Sequence, residues 1–217
     1  MATLVQRLRA TISAESDDFF EDDTLVDYLN ASQQRIVSYL VALESSSNRT
    51  FRALDELRKN ASASVVATPT LVTGLTGVFT AEINVPSDLL QLHFLRYKEN
   101  VTARELPVTK IRQIWDGNAK PTANEIYYHF SLNGSTKRLT VYTYEATTDT
   151  YRIFYTAKPT DVTDASEAFV SIPAQLENAA IYGAAEMALM QESVKDPNNS
   201  IQAFTQLYKE ELNGGMF

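Results

Sequence analysis

Cysteine is absent from the 217 residues, which removes disulfides, thiolate nucleophiles and cysteine-based metal sites together. Histidine occurs twice, as His93 in LHF and His129 in YHF. In such apolar strand settings an imidazole more often packs in a sheet than serves as base or ligand. No apolar run approaches the roughly 20 residues of a membrane span. The opening MATLVQRLRATISAES lacks the continuous hydrophobic segment of a signal peptide, so the scattered Asn-x-Ser/Thr triplets read as chance. Cations are also short: 19 Lys and Arg face 27 Asp and Glu, a net charge of −8. That balance argues against a surface built to grip nucleic acid, which needs clustered Lys and Arg. HExxH, GxSxG and GxxxxGK are all missing, and TGLTG at 73–77 lacks phosphate-loop spacing and precedes no helix. No repeat or low-complexity segment appears. The expectation is no catalytic residue, no metal and no cofactor.

What is present is an ordinary globular composition, 44% hydrophobic and 21% charged, in a chain long enough to bury roughly 70% of its unfolded surface. The strongest pattern lies at the end, SIPAQLENAAIYGAAEMALMQESVKDPNNSIQAFTQLYKEEL. Ser171, Pro173 and Glu177 form a helix-start signal. Leu176, Ala180, Gly183, Met187, Met190 and Val194 then fall in one stripe, flanked by Ala179, Ala184 and Ala188 and backed by Ile181, Tyr182, Ala185 and Leu189. A helix apolar on nearly all sides is contacted on more than one. Asp196-Pro197 breaks it. A second helix follows with Ile201, Phe204, Tyr208 and Leu212 on one face, expected to stop at Gly214-Gly215.

Residues 2–14 predict a short amphipathic helix with Leu4, Val5, Leu8 and Ile12 inward. Residues 24–43 predict a longer one with Leu25, Leu29, Ile36, Leu40 and Leu43 in line and Val26, Val37 and Val41 beside them. Helical spacing resumes in RTFRALDELRK at Phe51, Leu54 and Leu57. From Ala61 the pattern changes to strands: SVVATPTLV, VFTAEINV, LLQLHFLRY, and three more near 125–132, 139–144 and 151–155. Asn133-Gly134 marks a hairpin. PVTKIRQIWDG interrupts them as a short helix, with Ile111, Ile114 and Trp115 as its anchors. The predicted class is α+β: a helical domain from residues 1–60 and 171–217, with a β-rich antiparallel subdomain, 61–170, inserted between its halves.

Two chemical readings compete with plain structure. Asp17, Asp18, Glu21, Asp22 and Asp23 put five carboxylates in seven residues. A divalent-ion enzyme could use them, but helix capping and favourable placement at a helix's positive end explain them more simply. Tyr127, Tyr128, Phe130, Tyr142, Tyr144, Tyr151, Phe154 and Tyr155 could form a glycan-binding platform in a phage tail or adhesin module. Cross-strand packing of the same rings is the simpler account.

The order of segments resembles the tailed-phage adaptor, or head-to-tail connector, family (tail tubular protein A-like and head-completion proteins). The resemblance rests on DDTLVDYLNASQQRIVSYL as the early helix, INVPSDLLQLHFLRY, Trp115, LTVYTYEA, YRIFYTAKPT, the Pro-led and Ala-rich SIPAQLENAAIYGAAEMALMQ, and LYKEEL in the last helix. The stretch 49–59, helical and Arg-containing, departs from the family pattern. The resemblance implies a structural virion protein of the neck or tail, assembled in the host cytoplasm. It implies a homo-oligomeric ring of twelve copies docked between the portal protein and a downstream tail or nozzle protein. Double-stranded DNA would pass through without specific binding, and no membrane is involved. On this reading Ile181, Tyr182, Ala185, Leu189, Val37 and Val41 are candidate subunit-interface residues. The apolar end of the chain, Met216 and Phe217, is a candidate portal or tail contact.

Overall fold

Thr3 begins the first helix. Its hydroxyl accepts the Gln6 amide while the Gln6 side chain accepts the Thr3 amide, a reciprocal cap worth about 1 kcal/mol. The computed structural model describes residues 2–12, 20–47, 50–133 except 99, 108, 110, 117 and 119, 136–192 except 147, and 200–215. The chain is α+β and divides into two compact units, one made of residues 1–57 with 158–217, the other of 58–157.

The first unit is helical. Helix α1 (Leu4–Thr11) and helix α2 (Asp22–Ser47) bury Leu4, Val5, Leu8, Leu25, Val26 and Leu29 against helix α4 (Glu177–Glu192). Helix α5 (Ser200–Gly215) buries Tyr208 and Leu212. Its two terminal glycines lie inside the last turn rather than stopping it. Arg9 links α1 to the start of α2 through the Phe20 carbonyl at 2.7 Å and the Asp22 carboxylate at 2.8 Å. Ser171 does not cap a helix: its hydroxyl accepts the Thr160 amide at 2.9 Å, and a 3-10 turn at Ala174–Leu176 leads into α4. Asn30 holds the connector by both edges of its amide, donating to the Val162 carbonyl and accepting from the Val162 amide, each at 2.8 Å.

Between α2 and the sheet, Phe51, Leu54 and Leu57 are buried by a 3-10 helix, Arg52–Leu57, not by the predicted α-helix. Their spacing of three residues is the 3-10 period, which is why an α-helical reading of a short stretch failed. The strand region therefore starts earlier than Ala61, with β1 (Arg58–Ala63).

The second unit is one eight-stranded sheet, ordered β1-β8-β4-β5-β6-β7-β3-β2. The other strands are β2 (Thr70–Leu71), β3 (Phe79–Asn84), β4 (Leu89–Tyr97), β5 (Val101–Glu105), β6 (Tyr127–Asn133), β7 (Thr136–Thr143) and β8 (Tyr151–Ala157). The expectation of an antiparallel sheet needs correction, because β5 and β6 pair in parallel through Arg104↔Tyr127 and Glu105↔Tyr128. A parallel pair requires a crossover connection, and helix α3 (Ile111–Trp115) lies in it. SVVATPTLV yields only a bridge at Val65 and the two residues of β2, with Pro69 in between unable to donate to a ladder.

One sheet face carries the main core: Ile83, Leu95, Tyr97, Ile126, Leu139, Val141, Tyr151 and Ile153. On the opposite face Ile114 of α3 packs with Val72, Val78 and Tyr142. Trp115, expected as an anchor, is 53% exposed and reaches the sheet through a hydrogen bond with the Tyr142 hydroxyl.

Candidate interaction surfaces

The predicted subunit-interface residues separate into two groups. Ile181, Ala185 and Val37 are buried within the chain, Ala185 completely. Ile181 and Ala185 pack with α1 and α2 in one cluster, alongside Ala184 and Ala188. The helix apolar on several sides is thus satisfied by helices of its own unit, so these three are core positions rather than surface contacts. Tyr182, Leu189 and Val41 remain partly exposed, and Tyr182 stacks on Phe204 with ring centres 6.3 Å apart. The predicted core stripe also changes at its end: Ala180 is buried but Met190 is 52% exposed. Val194, Met216 and Phe217 lie outside the described residues.

Close packing of α2, α4 and α5 centres on Gly183. A Cβ there would meet the Ser32 hydroxyl at 2.3 Å and the Tyr208 ring at 3.1 Å. Beside it, the buried Glu186 carboxylate accepts from Arg35 at 2.6 Å and from the Thr205 hydroxyl at 2.5 Å. The Arg35 guanidinium lies 4.7 Å from the centre of the Tyr208 ring. These are charge-assisted bonds around a buried carboxylate, and every partner belongs to the helical unit.

The carboxylate cluster at the start of α2 is dispersed where it can be described. Asp22 pairs with Arg9, Glu21 and Asp23 are exposed, and Asp17 and Asp18 lie outside the described residues. Among the described residues no three His, Asp or Glu side chains gather as a metal site.

The aromatic platform is not formed. Tyr128, Tyr142, Tyr151 and Tyr155 are buried: Tyr128, Tyr151 and Tyr155 lie in the main core and Tyr142 on the opposite sheet face. Burial pushes the Tyr128 and Tyr155 hydroxyls up to about 12. His129 stacks on Tyr142 at 5.6 Å, and burial lowers its pKa. His93 Nε2 lies 2.7 Å from the Thr156 hydroxyl.

A polar cluster just past the end of β7 surrounds Glu145. Its carboxylate accepts from Lys98, from Tyr97 at 2.8 Å and from Tyr144, and these bonds hold its pKa down at about 2. Lys98 sits in a left-handed turn with φ of 45°, and it also reaches Asp149 at 3.5 Å.

Two exposed features of the sheet unit are an apolar groove and a cationic pair. Leu89, Leu90, Leu92, Phe130 and Leu132 line an open groove of about 540 Å³, with Leu132 75% exposed. On β4 and β8, Phe94 and Phe154 stack at 4.3 Å beneath Arg96. Sequence reasoning missed this site because its members lie some 60 residues apart and only the strand register aligns them. The alternation in HFLRY and YRIFY was its available signal.

Faces of this kind belong to a protein that works by contact. The chain belongs to the SU10 adaptor protein family, whose model matches residues 1–216. It is a bacteriophage adaptor, a structural component of the virion. No individually curated protein matches it.

Proposed function

We propose that this adaptor forms a ring in the head-to-tail connector, joining the portal to the tail and enclosing part of the DNA conduit. The family match over residues 1–216 carries the reading. The ring holds twelve copies, assembles in the host cytoplasm, and acts without catalysis. The helical segments and the inserted β-rich segment serve as its two domains. Partly exposed Tyr182, Leu189 and Val41 supply contacts between subunits, and Met216 with Phe217 docks on the portal or the downstream tail protein. A net charge of −8 suits a conduit, since a strongly basic lumen would hold the passing duplex through its phosphates.

Native mass measurement of the chain mixed with its portal tests this. A complex with one adaptor copy per portal subunit is the expected result. Failure to bind the portal at micromolar concentrations would overturn the reading. A duplex that co-purifies tightly with the ring at physiological salt would overturn the conduit part of it.

A further inference from the structure

Charge is divided unevenly along this acidic chain. Residues 58–157 carry eleven Lys and Arg against eight Asp and Glu, a net of +3, which leaves −11 of the total −8 on the helical unit. The cationic excess has a local focus. On β4, Leu95 and Tyr97 point into the core, so Phe94 and Arg96 point outward. On β8, Tyr151 and Ile153 point inward, so Arg152 and Phe154 point outward. The register sets Phe94 opposite Phe154 and Arg96 directly opposite Arg152. Ser62 of β1 continues that row beyond Arg152, and Thr102 of β5 continues it beyond Arg96. Arg96, Arg152, Ser62 and Thr102 are all exposed.

Like charges directly opposite on paired strands are destabilising. Arg96 rests over the two phenyl rings, 5.4 and 5.6 Å from their centres, but among the described residues neither Arg96 nor Arg152 has a carboxylate partner. Arg104, on the same face of β5, differs: Glu125 neutralises it at 2.7 Å. Farther along this face α3 and the 72–78 segment cover the sheet. The arginine half is left open.

We propose that Arg96 and Arg152, set over the Phe94–Phe154 pair, form a docking face for the acidic helical unit of a second copy of this chain. The segment of the second copy that fits is the start of α2. There Asp23 and Asp27 are exposed and lie one helical turn apart, about 6 Å. The two arginines on opposed strands are about 5 Å apart. Contact between unlike surfaces is heterologous, and repeated it closes into a ring when the rotation between copies permits. This deepens the ring reading, on which it rests only in requiring that copies associate. A duplex is the less fitting occupant: two free arginines fall short of the phosphate contacts that hold one, and the same chain would carry −11 to it.

Sedimentation velocity of the full chain at about 25 mM and about 300 mM NaCl tests the contact, since added salt shortens the screening length. The expected result is association at low salt that weakens at least tenfold at high salt. Arg96→Glu/Arg152→Glu and Asp23→Arg/Asp27→Arg should each weaken it at least tenfold, with thermal melting checking that each variant folds. Their combination should recover association. Equal association of wild type and the arginine variant overturns the proposal and leaves the ring intact. So does a combined variant no better than its parents. A wild type that stays monomeric at about 100 μM, roughly a hundredfold above a micromolar Kd, also overturns it, and leaves the ring to the portal experiment. A 30-base-pair duplex bound by wild type and not by the arginine variant would reassign the face to nucleic acid.

Discussion

Gly183 sits where α4 passes closest to α2 and α5, and its missing side chain decides how near they come. Alanine would gain about 1 kcal/mol of helix propensity, but its Cβ would collide with Ser32 and press on Tyr208. Overpacking of a tight core costs about 1–3 kcal/mol, so Gly183→Ala should be net destabilising. Because Ser32 is itself fully buried with an unpaired hydroxyl, Ser32→Ala should restore part of the loss. Thermal unfolding of the two single variants and the double will show whether they couple; strict additivity would mean that Tyr208 alone sets the limit. Glu145 predicts a pH effect. Its folded pKa of about 2 lies below the ordinary carboxylate value of 4.5, so its contribution is complete above pH 4.5 and is lost as pH falls toward 2. Unfolding of wild type should show this fall between pH 4.5 and 2. Glu145→Gln should be less stable at neutral pH and flatter across that range.

At the scale of elements, α4 shows what periodicity reveals and what it leaves open. Its apolar surplus was legible from Ala179, Ala184, Ala185 and Ala188, and the surplus is real. Spacing alone does not distinguish a second helix of the same chain from a helix of a neighbour, since both present the same apolar surface. The structure answers with α1, α2 and α5, which moves Ala185 from a candidate interface into the core. In Ala185→Glu, a carboxylate at this fully buried position has no partner, and burying it unpaired costs several kcal/mol. The variant should fail to fold or should melt far below wild type by circular dichroism; a well-folded variant that merely fails to assemble would return Ala185 to an interface. Elements with strong alternation, such as β3, β4, β7 and β8, could be read directly. β5 could not: VTARE is short, with only Val101 and Ala103 apolar, and its strand character comes from the ladders on either side. The 3-10 helix at Arg52–Leu57 was misread because three apolar residues at a spacing of three suit both helical periods. The Phe94–Arg96 face was invisible for a third reason, since register between distant strands is a property of the fold and not of any local window.

For the whole molecule, the membership in an adaptor family was legible from segment order, although no single motif carries a signature. Portal binding is the decisive measurement at this scale, and the ratio of adaptor to portal copies is its informative number. If the charge-matched contact operates, ring formation on the portal should also be salt-sensitive. Electrostatic steering would then raise the association rate between copies more than it slows their separation.

The first and last strands of the β unit are neighbours, with Arg58 opposite Thr156. The chain therefore leaves the helical unit and comes back at adjacent points of one ladder. During synthesis this fixes a sequence of events. α1 and α2 emerge first, yet α4, which completes their core, starts only at Glu177, after the whole β unit, or roughly 6–26 s later at ribosomal speeds. The sheet closes once β8 has emerged, while the two early helices still expose Leu25, Leu29 and Ile36 to the cell. The helical unit is thus the last part to become native and the part most dependent on an intact C-terminus. Truncation before α4 should leave a chain whose β unit is folded and whose helices are a target for chaperones and proteases.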